Sequence, residues 1–183
     1  MPEDSLLRLR LRVALKLMVL AAAVVASLVL LGTLFSGPDG HVPLPLEVEL
    51  DGIEPGSERQ LSWSGRRVLV LHRDAAMLGV LAADDELYDP VSRLDRRPRG
   101  VDSRHRGRVP EWLVVYHEST DLGCELDLVR PGTETGWGGG FRDRCRSGRY
   151  DFAGRVYKGQ PARRNLQIPP YQLQGSRLIL GAE

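Results

Sequence analysis

The feature that most constrains this chain of 183 residues is an uncharged apolar run near its N-terminus. The run extends from Leu17 to Phe35 and contains 19 residues, LMVLAAAVVASLVLLGTLF. As a helix rising about 1.5 Å per residue, such a run just crosses a hydrocarbon core of roughly 30 Å. Residues 13–15 extend the run if the Lys16 ammonium reaches towards the membrane surface. The sequence therefore predicts a transmembrane anchor over residues 13–35.

The charges before this run predict its orientation. Three arginines precede it, Arg8, Arg10 and Arg12. By the positive-inside rule, residues 1–12 are expected in the cytoplasm and the bulk of the chain in the periplasm, on a single-pass inner (cytoplasmic) membrane protein. A cleaved signal peptide is the alternative, but its apolar core would have only about 7–15 residues. Because the apolar run continues through Leu28–Leu31, we favour a retained anchor.

The rest of the chain has the pattern of a linker followed by a head of short strands. Residues 36–45 (SGPDGHVPLP) contain two glycines and three prolines without an apolar period, which is typical of a linker. Residues 46–183 contain short alternating or apolar runs between turn residues, which predicts a mainly β head. The predicted strands are Leu46–Leu50, Gln60–Ser64 and Arg67–Leu71 around a turn at Gly65, Trp112–Tyr116, two strands in Tyr150–Tyr157 that turn at Ala153–Gly154, and Arg177–Leu180.

A short helix and an arginine-rich segment interrupt the strands. Asp74 is predicted to cap a helix over AAMLGVLAA, with Ala75, Leu78 and the pair Leu81–Ala82 facing the core. Residues 93–108 contain seven arginines and no apolar pattern. We interpret them as a solvated, mobile loop, and the alternative is a patch that contacts anionic lipid headgroups or an acidic partner. Nucleic-acid binding is not expected, since the segment lacks interleaved aromatic residues and the net charge is only +1.

The chain contains only two cysteines, Cys124 and Cys145. Two cysteines cannot by themselves form the usual four-ligand zinc or iron–sulfur site. In a reducing compartment they would remain two thiols, whereas in an oxidising compartment they would form one disulfide.

Three stretches, in order along the chain, match the motifs of a known family. The first comprises residues 89–93 (DPVSR) and 111–115 (EWLVV). The second, which we name the first box, is STDLGC at residues 119–124 and lines up with Cys-Thr-His-Leu-Gly-Cys. The third, the second box, is GGFRDRCRSGRYD at residues 139–151 and lines up over Cys-Pro-Cys-His-Gly-Ser-x-Tyr-Asp. On these motifs the chain resembles the Rieske iron–sulfur subunit of bacterial quinol–cytochrome c reductases, the bc1 complexes.

The resemblance implies a fold and a set of ligand positions. The implied fold is a Rieske-like [2Fe-2S] domain of antiparallel sheets on an N-terminal transmembrane helix. In the family each box supplies one Cys and one His to the cluster, so that two thiolates hold one iron and two imidazoles hold the other. At these positions the present chain has Ser119 and Asp121 in the first box, and Asp143 and Arg146 in the second box.

These four residue types are unsuited to the cluster. An arginine stays protonated and has no free lone pair for iron. Serine and aspartate offer hard oxygen ligands to a cluster that requires thiolates. We therefore expect a degenerate member of the family that binds no cluster, and we expect no cofactor.

The other box residues receive structural roles from the resemblance. Cys124 and Cys145 match the two non-ligand cysteines of the family, which form a disulfide that joins the boxes. Tyr150 matches a family hydroxyl residue beside the ligands, and without a cluster we expect it to pack or hydrogen-bond in the core.

The ligand positions themselves are expected to be held together by charge. Asp121 and Asp143 should converge from opposing loops, with the forked guanidinium of Arg146 pairing with both carboxylates. A mononuclear metal site formed by Asp121, Asp143 and His117 is the alternative, although Arg146 would compete for the same carboxylates.

Together these features predict a non-redox structural or accessory subunit of a bc1-type respiratory electron-transfer complex, which would not be an enzyme by itself. The expected partners are cytochrome b and cytochrome c1-type membrane subunits, or another respiratory complex. Two alternatives stay open. One is a genuine iron–sulfur subunit that transfers electrons from quinol to cytochrome c with ligands from elsewhere, and the other is a stand-alone assembly or regulatory factor.

Overall fold

The N-terminal helix and the head are two separate compact units. The computed structural model describes residues 3–35 and 43–182, so most of the linker predicted over residues 36–45 lies outside the described residues. Helix α1 runs over Glu3–Phe35. Its segment Arg10–Gly32 has a mean hydropathy of 2.6 and no buried side chain. By length and composition this helix is able to cross a membrane.

The described part of the head is mainly β, as the sequence predicts. Its three sheets are antiparallel and have three strands each, in the orders β1-β9-β8, β2-β3-β4 and β5-β6-β7. A five-residue helix, α2, and one turn of 3-10 helix lie between β3 and β4. In chain order the elements of the head are β1 (Leu46–Glu49), β2 (Glu58–Trp63), β3 (Arg66–His72), α2 (Ala75–Gly79), the 3-10 turn (Asp84–Glu86), β4 (Trp112–Tyr116), β5 (Leu126–Val129), β6 (Gly140–Asp143), β7 (Arg149–Tyr150), β8 (Tyr171–Gln174) and β9 (Arg177–Leu180).

Strand β3 is the central strand of its sheet and forms the centre of the apolar core. Its residues Val68, Leu69, Val70 and Leu71 have no exposed surface, because both faces of the strand are covered. The hairpin predicted around Gly65 is confirmed: Ser64 and Gly65 both have positive φ, 51° and 73°, as in a type I′ turn. Strand β4 pairs with the other edge of β3, and this pairing places the first box directly after the sheet.

The prediction of two strands in Tyr150–Tyr157 is only partly right. The segment after β7 is a tight turn followed by two isolated antiparallel bridges, Tyr150 with Val156 and Tyr157 with Leu87, and it contains no second regular strand. The Asp151 carboxylate accepts hydrogen bonds from the backbone N–H groups of Ala153 (2.9 Å) and Arg155 (2.8 Å). These hydrogen bonds give the backbone an alternative to strand pairing, so no second strand forms.

Helix α2 begins where the sequence predicts, and the predicted core face is wrong for Ala75 and Leu78 but right for Leu81 and Ala82, which follow the helix: Ala82 is buried and Leu81 packs against the core. Asp74 caps it by accepting a hydrogen bond from the Met77 N–H (2.8 Å). Met77 is fully buried, whereas Ala75 is exposed and Leu78 is half-buried. Because the helix ends at Gly79, it has little more than one turn, and the cap decides which of its residues faces the core.

The interpretation of residues 93–108 as a solvated loop is wrong for one arginine. Arg106 has no exposed surface. Its guanidinium donates hydrogen bonds to the carbonyl oxygens of Ala153 (3.1 Å), Gly154 (3.0 Å) and Leu166 (2.5 Å). The segment has no regular secondary structure, yet this side chain anchors it to the core. Exposed arginines of the same segment are Arg93, Arg96, Arg99 and Arg104.

Candidate functional site

The two boxes meet through a disulfide. The first box follows β4, and the second box contains β6, β7 and the loop that joins them. Cys124 and Cys145 are bonded across the boxes, with a Cα–Cα distance of 6.1 Å and a sequence separation of 21. The structure therefore contains one disulfide and not two free thiols. The two boxes are thus neighbours, and Asp121 of the first box lies beside Arg146 of the second.

The first box is a closed loop. The Ser119 N–H donates to the Cys124 carbonyl oxygen (2.7 Å), and the Gly123 N–H donates to the Ser119 carbonyl oxygen (3.2 Å). These hydrogen bonds leave Leu122 at the tip of the loop, where its side chain is 63% exposed.

The second box forms a turn around Asp143. The Asp143 N–H donates to the Gly148 carbonyl oxygen (2.9 Å), and the Ser147 N–H donates to the Asp143 carbonyl oxygen (2.9 Å). The Asp143 side chain is buried, and its Oδ1 accepts hydrogen bonds from the backbone N–H groups of Cys145 (2.7 Å) and Arg146 (3.4 Å). The carboxylate is thus satisfied by the backbone of its own turn.

The predicted pairing of Arg146 with two carboxylates is corrected to a pairing with one. Arg146 Nη1 lies 3.1 Å from Asp121 Oδ2, and the two side chains are 53% and 17% exposed. Asp143 is buried and accepts backbone N–H groups instead, because its short side chain folds back over the turn. An ion pair as exposed as that of Arg146 and Asp121 contributes about 0–1 kcal/mol to stability.

The alternative metal site of Asp121, Asp143 and His117 is not assembled. His117 is buried, and its Nε2 hydrogen-bonds to the Leu126 carbonyl oxygen (2.7 Å). Within the described residues, one group of three possible metal donors lies close together, and it contains Asp143 with both cysteines. Both sulfurs are already bonded to each other, so this group cannot act as a thiolate site.

Ser119 and Tyr150 are the buried hydroxyl residues of the site. Ser119 is 4% exposed, and its Oγ has no hydrogen-bond partner among the described residues. Tyr150 is fully buried, and its hydroxyl accepts the Thr120 N–H and lies 3.1 Å from Thr120 Oγ1. Burial raises the pKa of the Tyr150 hydroxyl. Tyr150 therefore hydrogen-bonds in the core and connects the second box to the first.

Thr120 is a site residue that the sequence reasoning missed. Besides its contacts with Tyr150, its Oγ1 donates a hydrogen bond to the Arg164 carbonyl oxygen (2.5 Å). Thr120 thereby joins the first box to a third segment, which follows the second box in sequence. The sequence signal that could have identified Thr120 is its position between Ser119 and Asp121, two candidate ligand positions.

The donors present do not suit a Rieske cluster. Such a cluster requires two thiolates and two imidazoles, whereas the four side chains here offer three oxygen groups and a guanidinium. Asp143 is buried, and its carboxylate already accepts two backbone hydrogen bonds. The one cation, Arg146, is paired with Asp121.

The chain is similar in sequence to iron–sulfur subunits of ubiquinol-cytochrome c reductase. No family model matches the chain. It is 35% identical over 146 residues to the ubiquinol-cytochrome c reductase iron-sulfur subunit of Allochromatium vinosum, covering 76% of this chain and 70% of that relative. The protein of the same description from Blastochloris viridis is 32% identical over 139 residues, covering 75% of this chain and 71% of the relative. A mitochondrial relative, the cytochrome b-c1 complex subunit Rieske of Schizosaccharomyces pombe, is 34% identical, with 74% and 53% covered.

Among solved structures, a chain of a hyperthermophilic respiratory complex III is similar, with a TM-score of 0.46 and 20% sequence identity. The similarity covers 89% of this chain and 98% of that chain.

Proposed function

Because the chain belongs to the family of Rieske iron–sulfur subunits of ubiquinol–cytochrome c reductase, we propose that it is a clusterless, membrane-anchored member with a structural role in a bc1-type respiratory complex. The family cofactor is a [2Fe-2S] cluster, and electron transfer by this chain would require that cluster. The proposed role is therefore non-redox.

The observation that carries this proposal is the replacement of every candidate cluster ligand. Ser119, Asp121, Asp143 and Arg146 occupy the positions where the family motifs have two Cys and two His. The ion pair between Arg146 and Asp121 supports the proposal, since a paired guanidinium places positive charge where the cluster iron would need a neutral imidazole. The same side chains provide local stabilisation in place of a cofactor.

The proposed partners follow from the names of the relatives, which are subunits of cytochrome b-c1 complexes. We propose that helix α1 docks this chain beside cytochrome b or cytochrome c1-type subunits, or into another respiratory complex. The proposed organisation is a cytoplasmic N-terminus (residues 1–12), an anchor (residues 13–35), a linker (residues 36–45) and a periplasmic head (residues 46–183). The arginines that precede the apolar run support this orientation.

The first experiment measures iron and acid-labile sulfide in the full-length protein purified gently from its native membrane, together with its reduced-state EPR spectrum. We expect no iron, no sulfide and no Rieske signal, with haem proteins of a respiratory complex co-purifying. Near-stoichiometric iron and sulfide with a Rieske signal would instead make the chain an electron-transfer subunit. A cluster-free protein without any co-purifying haem protein would support a stand-alone assembly or regulatory factor.

A positive control tests whether the four positions are correctly assigned. The quadruple variant S119C/D121H/D143C/R146H restores two thiolates and two imidazoles on loops that the disulfide already joins. After reconstitution with iron and sulfide it should show the Rieske signal. The triple variant that retains Arg146 is the matched control, and it should show none.

A further inference from the structure

The surface beside residues 93–98 contains a groove with an arginine rim, which we name the arginine groove. It consists of two cavities of about 400 Å³ and about 350 Å³ that share Arg96 and Ile168 as lining residues. The larger cavity also has Leu94 and Arg164 in its lining, and the smaller has Arg97. Because the cavities share two lining residues, they lie next to each other.

The exposed arginines at this groove lack the carboxylate partners that several other arginines of the head have. Elsewhere, arginines pair with acidic residues, as in Arg66–Glu118, Arg144–Asp127 and Arg146–Asp121. Arg96 and Arg164 are exposed and form no ion pair with any residue that the structure describes. The same holds, within residues 43–182, for their exposed neighbours Arg93, Arg99 and Arg163. The groove therefore carries positive charge that the head itself does not compensate.

Asp95 is the one carboxylate among the lining residues of the groove, and it forms an ion pair with a buried arginine. Asp95 Oδ2 lies 3.6 Å from Nη2 of the buried Arg106. The Asp95 side chain is only 11% exposed, and burial raises its pKa. Asp95 thus offsets mainly the charge of Arg106 and to a smaller degree that of Arg164, and it forms no ion pair with Arg96 or Arg164.

Apolar side chains and two prolines form part of the lining of the groove. Leu94 is 56% exposed and Ile168 contributes a buried side chain. Pro98 and Pro170 line the smaller cavity, and proline has no backbone N–H. Guanidinium groups and apolar side chains are therefore available for recognition, together with the amide of Gln167, which also lines the larger cavity.

The groove is also rigid, because the buried Asn165 fixes its wall. Asn165 Nδ2 donates to the Asp89 carbonyl oxygen (2.9 Å) and to Ser92 Oγ (3.1 Å), and Oδ1 accepts the Val156 N–H (3.0 Å). A wall held in this way loses little conformational entropy when a ligand binds.

From this combination we propose that the arginine groove docks an extended acidic segment of a partner protein, in which carboxylates alternate with apolar side chains. The carboxylates would pair with Arg96 and Arg164 while the apolar side chains contact Leu94 and Ile168. Two adjacent cavities fit an extended chain better than a single phosphate headgroup, which would occupy one cavity. The inference rests on the proposed function in so far as a structural subunit needs a partner surface, and it does not depend on the absence of the cluster.

The test measures binding of a fluorescein-labelled ten-residue peptide of alternating Glu and Leu to the full-length protein in detergent, by fluorescence anisotropy. The variant Arg96→Glu/Arg164→Glu should weaken binding at least about tenfold, since like charges then face each other. The control Arg130→Glu/Arg177→Glu makes the same change in net charge at exposed residues that do not line the groove, and it should bind as the wild type does. Added salt should weaken wild-type binding steeply.

Equal binding by the two double variants would overturn the proposal. So would displacement of the peptide by glycerophosphoglycerol at lower concentration than by unlabelled peptide, because the site would then be one for lipid headgroups. Iron and sulfide measured on the same samples separate the two proposals. If the protein contains iron and still binds the peptide, only the proposed clusterless function is contradicted. If the protein is iron-free and the groove variant binds the peptide as well as the wild type does, only the docking proposal is contradicted.

Discussion

At the scale of single residues, Arg106 holds three irregular segments of the head together. Its guanidinium donates hydrogen bonds to the carbonyl oxygens of Ala153, Gly154 and Leu166, and it faces Asp95. Burial lowers the pKa of Arg106 to about 10, so the side chain remains charged at neutral pH. A buried charge of this kind is tolerated because several oxygen atoms surround it.

The Arg106→Met variant should lower the free energy of unfolding by about 3–5 kcal/mol, because it keeps the volume but leaves Asp95 and three carbonyl groups without their partner. Urea unfolding of the full-length protein in detergent, followed by tryptophan fluorescence, measures the loss. The matched control is Arg104→Met in the same segment, which removes an exposed ion pair with Asp84 and should cost less than about 1 kcal/mol. Similar losses in both variants would contradict the anchoring role of Arg106.

At the scale of elements, strand β6 determines where the second box lies. It begins at a glycine pair, Gly139 and Gly140, with φ of 94° and 138°. A Cβ on Gly140 would lie 2.0 Å from the Tyr150 carbonyl oxygen, and one on Gly139 would lie 2.7 Å from the Val129 carbonyl oxygen. The neighbouring backbones therefore approach β6 more closely than a side chain permits. This close approach places Asp143, the last residue of the strand, inside the head.

The Gly140→Ala variant should lower the free energy of unfolding by about 2–6 kcal/mol, which combines backbone strain with the clash against the Tyr150 carbonyl oxygen. Urea unfolding in the same detergent gives the value. Gly132→Ala is the matched control in the loop before β6. Gly132 also has positive φ (75°), but its added Cβ would meet nothing within 4 Å, so only the left-handed penalty of about 1–2 kcal/mol applies. The close-approach argument fails if the two variants lose the same stability.

At the scale of the whole molecule, the two boxes come from different sheets and are joined by few groups. The first box follows the sheet β2-β3-β4, and the second belongs to β5-β6-β7. The groups that connect the two boxes include the disulfide, the Arg146–Asp121 ion pair and the Tyr150–Thr120 hydrogen bonds. Since the chain has only two cysteines, the disulfide is its only possible internal disulfide cross-link.

Removal of this cross-link in the variant C124A/C145A should lower the free energy of unfolding by about 3 kcal/mol, because the unfolded chain gains the freedom of a loop of about 20 residues. Wild-type protein treated with a dithiol reductant should lose a similar amount of stability, measured by urea unfolding. The double variant is its own control and should not respond to the reductant. A wild type that keeps its full stability after complete reduction would show that the boxes are held by other contacts.

Local chemistry made several elements predictable. Gly65 between two alternating runs predicted the β2–β3 hairpin, and Asp74 predicted the start of α2, because turns and caps depend on neighbouring residues. Strands β5, β6 and β8 were not predicted. Each is four residues long, but the predicted strands β1 and β9 are equally short, so length alone does not separate the strands that were predicted from those that were missed. The box motifs identified the two cysteines, which form the disulfide, and Tyr150, which accepts a hydrogen bond from the Thr120 N–H.

The sequence by itself determined the apolar run long enough to cross a membrane, the mainly β head, the family motifs and the identity of the residues at the candidate ligand positions. Only the tertiary structure decided that Arg106 is buried, that Arg146 pairs with Asp121 while Asp143 turns to its own backbone, and that Arg96 and Arg164 share one groove. The physical reason is distance along the chain. Arg106 and the Leu166 carbonyl group that it binds are separated by 60 positions, and burial or pairing over such separations depends on how the sheets and loops pack.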